Sequence, residues 1–224
     1  MTVPVITIDG PSGAGKGTAA RLIALELGFH LLDSGAIYRI LGLAATDAQI
    51  ELDDIDSLVS LSNSLDLSFP YDAEGTEIVL NSVSVGNQLR TQVVADAASQ
   101  VAIHSPVRDA LMGLQRRQAR YPGLVGDGRD LGTIVFPGAN LKIFLDASVE
   151  VRAERRYLEL IESGQIVDRS AILRDLEIRD VRDRTRKVAP LVPADDAYVI
   201  DSSDKTAAQV VADVRDLCRA KGLA

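Results

Sequence analysis

Gly10-Pro11-Ser12-Gly13-Ala14-Gly15-Lys16-Gly17-Thr18 is the stretch from which the rest of the chain can be read. Phosphate oxygens need several N–H donors at close range. Glycines let a backbone curl around them, because no Cβ intrudes and positive φ is allowed. The run before the loop, Val3 to Asp9, is apolar and branched, as in a strand buried on both faces. After Lys16, apolar residues recur at Ala20, Ile23, Ala24 and Leu27, one face of a helix, with Gly28 placed to cap its end. A strand, a glycine loop and a helix N-terminus in that order make an anion cradle: the helix dipole and its free N–H groups aim at the phosphate, and Lys16 reaches the β- and γ-phosphates. The alternative, a plain glycine-rich turn, needs neither the strand nor the helix. The loop departs from the usual pattern at one place. Gly17, not Ser or Thr, follows the lysine, so Thr18 becomes the candidate contact for Mg²⁺.

Working outward, Phe29–Leu32 reads as a second strand and Ala36–Ala45 as a second helix, with another helix over Ile55–Ser64. The period then changes. Leu65, Leu67 and Phe69 alternate with polar residues, Ile78 and Leu80 do so after a turn over 70–75, and Val83 and Val85 follow Asn81-Ser82. Three short alternating runs predict a small antiparallel sheet inserted near 64–90. Helical spacing returns over Val94–Ala102. Ser105-Pro106 reads as an N-cap and first-turn proline for the next helix. Leu124–Asp127 and Leu141–Leu145 read as buried strands. Ser148–Glu162 and Ser170–Val181 read as helices, Ala197–Ile200 as a last strand and Thr206–Ala220 as a closing helix. Strands alternating with helices predict an α/β fold, a phosphate-loop core whose parallel sheet is flanked by helices.

With 224 residues, a single domain over 1–224 is expected. The 24 basic and 32 acidic residues leave a net charge of −8, which argues against broad nucleic-acid binding while allowing a local arginine cluster to hold a small anion. No apolar run approaches the roughly 18 residues that span a bilayer, so no membrane partner is expected. No secretion signal is visible, and the lone Cys218 fits a reducing cytosol, so a cytoplasmic location is expected, with a monomer as the default. His30 and His104 stand far apart with no cysteine nearby, and neither reads as a metal ligand or a catalytic group.

A GTPase switch needs an Asn-Lys-x-Asp stretch, which is absent. Motor and helicase ATPases use larger domains and basic surfaces. A nucleotide-binding regulator without turnover would lack an acceptor-binding arginine set. Here that set exists. Asp33-Ser34-Gly35-Ala36-Ile37-Tyr38-Arg39 and Asp127-Gly128-Arg129-Asp130 both follow strands, and ligands of such sheets sit at strand carboxyl ends. Arg179, Asp183 and Arg186 share one helix face if the helix continues that far, with Arg182 and Arg184 beside them. The competing reading of that cluster is a solvated face laced by ion pairs.

Together these stretches resemble the bacterial cytidylate kinases of the nucleoside monophosphate kinase family. The resemblance also runs through His30-Leu31-Leu32, Arg90-Thr91-Gln92, Ala98-Ser99-Gln100-Val101, Leu131-Gly132-Thr133, Lys142 to Ala147 and Arg179 through Pro193. It implies phosphoryl transfer from ATP to CMP and dCMP, with Mg²⁺. A broader UMP/CMP kinase, or a small-molecule kinase with a non-nucleotide acceptor, is the alternative. The resemblance further implies that Gly10 to Thr18 hold the ATP phosphates and that Arg39, Arg129 and Arg186 surround the acceptor phosphate, with Lys16, Arg129 and Arg186 acting on the transferring group. Ser99, Arg108 and Asp130 would read cytosine, Arg179 and Asp183 the sugar, and Ser34 would lie close to the acceptor. The acceptor region would span about 34–110, insertion included. A lid over about 150–190 would bring Arg155, Arg182 and Arg184 toward the transferring group.

Overall fold

The computed structural model describes residues 2–72, 77–86 and 88–223. In chain order its elements are β1 (Val5–Asp9), α1 (Lys16–Leu27), β2 (His30–Asp33), α2 (Ser34–Asp47), α3 (Ile55–Asn63), β3 (Leu67–Ser68), β4 (Val79–Leu80), β5 (Val83–Ser84), α4 (Gln92–Val101), α5 (Ser105–Arg116), β6 (Leu124–Gly128), β7 (Leu141–Asp146), α6 (Val149–Glu162), α7 (Arg169–Thr185), β8 (Tyr198–Asp201) and α8 (Ala207–Ala220). A parallel sheet in the order β2-β6-β1-β7-β8 forms the centre, and β3-β4-β5 make the separate antiparallel sheet expected of the insertion. Part of the turn expected over 70–75 lies outside the described residues.

Alternation along β1 sorts the two cores. Ile6 and Ile8 face α1 and α8, where Ile23, Val211 and Val214 complete one apolar cluster. Val5 faces the other way, toward α2, α3, α4 and α5, into a cluster that includes Ile37, Leu41, Leu58 and Leu111. Thr7 and Asp9 share Val5's face by the two-residue period of a strand. Leu111 is fully buried in that second cluster. Leu111→Ala is expected to lower unfolding free energy by about 2–5 kcal/mol in urea melts, because the cavity adds to the lost transfer energy.

Each central strand ends on or beside an aspartate: Asp9, Asp33, Asp127, Asp146 and Asp201. Backbone N–H groups are left unpaired at this edge, and all of these carboxylates except Asp127 accept them. Asp33 caps α2 through the N–H of Ala36 at 2.9 Å, Asp146 takes that of Ala147 at 2.9 Å, and Asp201 takes that of Ser203 at 2.8 Å. Thr206 closes a capping box with Gln209 at the start of α8.

Two boundaries differ from the periodicity. His104, not Ser105, holds the N-cap position of α5, with no side-chain cap bond, and Pro106 sits in the first turn. Helix α7 ends at Thr185, so Arg186 stands in extended backbone (φ −55°, ψ 134°) and cannot share a helical face with Arg179. A short π-helical turn over Leu131–Val135 carried no sequence signal. Among the described residues, no helix is long and apolar enough to cross a membrane.

Candidate active site

The carboxyl edge of the parallel sheet opens into a cavity of about 790 Å³. The glycine loop from Ser12 to Thr18 lines one end, with Lys205, Thr206 and Val210 at the start of α8. Ser34 and Arg39 of α2, Ser99 of α4 and Arg108 of α5 line the other. Arg129 and Asp130 follow β6 between them. Arg155 of α6 and Arg179, Asp183 and Arg186 of α7 and its end close the side. All the positions expected to hold the acceptor therefore meet in one space with the loop.

Gly10 and Pro11 do not line that space, and their parts are structural. Gly10 has φ +150°, and a Cβ there would sit 2.0 Å from the carbonyl oxygen of Leu145, so glycine lets the loop leave β1 flush against β7. The carbonyl of Pro11 accepts a 2.8 Å hydrogen bond from Lys16 Nζ, which stands 3.7 Å from Asp127 Oδ1. Burial, and then repulsion from Arg129, lowers the Lys16 amine to about 8. Burial likewise raises the Asp127 carboxyl, against the pull of Lys16.

The arginines crowd one another. Arg129 donates to Asp183 at 3.0 Å, and the fields of Asp183 and Asp127 hold it charged above its ordinary value although burial opposes this. Burial and the nearby Arg129 bring Arg179 down to about 10, and burial lowers Arg186 as well. Arg39 Nε, Arg179 Nε, Arg186 Nε and Arg186 Nη2 are buried without a hydrogen-bond partner among the described residues. Arg39, Arg129, Arg179 and Arg186 all line the one cavity, and their crowded positive charge calls for an anion there.

Arg108 and Asp130 form a buried ion pair, with the Arg108 guanidinium over the Tyr38 ring at 5.6 Å and bonded to the Ala102 carbonyl at 3.3 Å. The Ser99 hydroxyl accepts from Arg182 at 2.8 Å. The Arg108–Asp130 pair beside the Tyr38 ring, with Ser99 lining the same cavity, presents acceptors and donors to a planar heterocycle.

The three arginines expected in the lid divide. Arg155 lines the cavity, yet is tied to Ser202 Oγ at 3.1 Å and to the carbonyls of Ser202 and Lys205 at 2.6 and 3.3 Å. Arg182 reaches Ser99 and not the loop. Arg184 is half-exposed, turned away from the cavity and paired with Asp146 at 3.4 Å.

Sequence reasoning missed Arg152. Its side chain is buried, donates to the carbonyls of Ala147 and Ser12 at 2.9 and 3.1 Å, and forms a bidentate pair with Asp180 of α7. It ties the glycine loop to the arginine-bearing helix. In sequence it is one charge among several on a helix, with nothing to distinguish it. Asp127 and Tyr38 lay inside recognised stretches but carried no assigned role.

Oxygen donors suited to a hard cation stand at the loop. Thr18 is exposed in the first turn of α1, and Gly17 leaves room beside Asp127, where a Cβ would lie 3.1 Å from Oδ2. Among the described residues, no three His, Cys, Asp or Glu side chains could hold a metal by themselves. The donors fit an ion carried mainly by nucleotide phosphates. His30 and His104 bond backbone carbonyls of Tyr121 and Leu52 at 2.9 and 3.1 Å, and the buried Cys218 thiol is pushed up to about 11 by burial.

The family model described as cytidylate kinase matches residues 6–220. The cytidylate kinase of Cupriavidus necator is 51% identical over 95% of this chain and 94% of its own. That of Aeromonas salmonicida is 52% identical over 94% and 92%, and that of Salmonella choleraesuis 51% over 97% and 96%. With the glycine loop, the arginine ring and the Arg108–Asp130 pair in one cavity, and these similarities running through nearly the whole chain, the protein belongs to the cytidylate kinase family.

Proposed function

We propose that this chain transfers the γ-phosphoryl group of ATP to CMP, and to dCMP as a second acceptor, giving CDP or dCDP and ADP. The observation that carries this reading is the convergence of Arg39, Arg129 and Arg186 on the cavity that Lys16 and the glycine loop also line. An acceptor phosphate answers that concentration of positive charge, and guanidinium forks hold it while remaining charged.

Phosphoryl transfer asks little covalent chemistry of the protein. The acceptor phosphate, with a second pKa near 6, is already mostly dianionic at pH 7, so no general base is required. Lys16, Arg129 and Arg186 neutralise charge on the transferring oxygens, and the loop amides hold the donor phosphates. Thr18 and Asp127 are the oxygens on this chain that would hold Mg²⁺, which would supply further neutralisation of the donor's phosphate charge. Asp130 accepts from the cytosine amino group, while Arg108 and Ser99 serve its ring acceptors. Arg179 and Asp183 contact the sugar, and Ser34 lines the acceptor side. The region 150–190 closes as a lid once both anions order its arginines, which keeps water from acting as acceptor.

ADP release from ATP and Mg²⁺, measured side by side with CMP, dCMP, UMP, AMP and GMP, tests this. CMP and dCMP are expected to be turned over fastest. Equal rates with all five, or no ADP with any, would refute the assignment.

A further inference from the structure

Asp130 occupies the N-cap position of the π-helical turn over Leu131–Val135 but makes no cap bond to it. An aspartate at an N-cap ordinarily gives its carboxylate to the N–H of the second or third residue of its own helix, here Gly132 or Thr133. Here that carboxylate is committed to Arg108. The Gly132 N–H that it leaves, together with that of Leu131, is taken by a residue more than a hundred positions earlier. Asp9 Oδ1 accepts from Leu131 N at 2.9 Å, and Oδ2 from Gly132 N at 2.7 Å. Both bonds are buried, and Asp9 itself is 5% exposed.

The fit is close enough to dictate the neighbouring residue. A Cβ on Gly132 would lie 2.9 Å from Thr7 Oγ1 and 3.2 Å from Asp9 Oδ2. The far end of the turn is held separately, by Arg116 Nε on the carbonyl of Val135 at 2.8 Å. The turn is thus clamped at its start by the strand that feeds the glycine loop and at its end by the helix that carries Arg108.

We propose that Asp9 is a specificity-positioning residue: it caps the turn in place of Asp130 and so releases the Asp130 carboxylate to face the base. The proposal rests on the reading of the acceptor as a cytosine nucleotide. Without Asp9, the N–H groups of Leu131 and Gly132 draw the Asp130 carboxylate back onto its own turn and away from Arg108 and the base. Asp9 touches no substrate. It acts through Asp130, and this is what distinguishes it from a residue that merely holds the sheet together.

The test is steady-state kinetics on Asp9→Asn, Gly132→Ala, Asp130→Asn and the double variant Asp9→Asn/Asp130→Asn. Asn keeps one acceptor oxygen and sets an amide donor against the second N–H. Asp9→Asn is expected to raise the CMP KM and lower the CMP-to-UMP ratio of kcat/KM, each by about tenfold, with the ATP KM within about twofold. Gly132→Ala displaces the turn from the other side and should move the same two quantities in the same direction. In the Asp130→Asn background, Asp9→Asn should lower the ratio no further, because both changes remove one effect. An unchanged ratio in both Asp9→Asn and Gly132→Ala would overturn the proposal. So would a ratio loss that adds fully to that of Asp130→Asn, or an ATP KM that rises as much as the CMP KM. A parent chain with no preference for CMP over UMP would count against the functional reading instead.

Discussion

Lys16→Ala is expected to cut turnover by about a hundred- to a thousandfold, the usual cost of deleting one preorganised charge from a transition state. The CMP KM should stay within about twofold, because the direct partners of Lys16 are Pro11 and Asp127 and not Ser99, Arg108 or Asp130. A pH signature accompanies the loss. The amine must carry its proton to hold phosphate, and in the free chain burial and Arg129 bring it to about 8. Bound phosphate raises that value again. ATP affinity is therefore complete below pH 8 and falls as pH climbs through it, by up to about tenfold per unit. The alanine variant should lack that fall. Near-normal kcat in Lys16→Ala, read by coupled ADP release, would remove the lysine from the transfer step.

The second large effect concerns the choice of base. Cytosine offers an amino donor where uracil offers a carbonyl. Facing Asp130, uracil would set a carbonyl oxygen against a buried carboxylate, an arrangement that costs about 1–3 kcal/mol or more. Asp130→Asn replaces the carboxylate with an amide that can turn either its oxygen or its nitrogen toward the ring. The CMP-to-UMP ratio of kcat/KM is expected to narrow by about tenfold or more, chiefly through faster use of UMP. Arg108 keeps the Ala102 carbonyl and the Tyr38 ring in this variant, so its side chain stays anchored. An unaltered ratio would take Asp130 out of base reading.

The parts of the site that could be read in advance are those whose chemistry is local. Ser12 to Thr18 line the cavity as one continuous segment running from the loop after β1 into the first turn of α1, and Arg39 and Arg129 each follow a strand closely enough that the carboxyl-edge rule places them. Arg184 shows where that reasoning ends. It lies two positions from Arg186 in a run of charges, yet it turns to Asp146 while Arg186 enters the cavity. The difference arises because α7 stops at Thr185, and the carbonyl of Asp183 then accepts the N–H of Leu191 at 2.9 Å as the chain folds back. Arg152 and Asp9 were illegible for a related reason. Their partners Ser12, Asp180, Leu131 and Gly132 are distant in the chain, and no spacing rule connects them.

By itself the sequence determined the order of strands and helices, the phosphate-binding loop and the classes of side chain available to two anionic substrates. Each of these follows from periodicity, glycine geometry or charge within a few consecutive residues. Tertiary structure alone decided which carboxylate caps which turn, which arginines are left without partners, and which face the cavity. Those outcomes depend on strand neighbours: β1 lies between β6 and β7, so Asp9 comes to rest against a turn that follows a strand far along the chain. A carboxylate is committed by whatever N–H group burial brings within 3 Å of it, and burial is a property of the assembled sheet, not of the segment that carries the carboxylate.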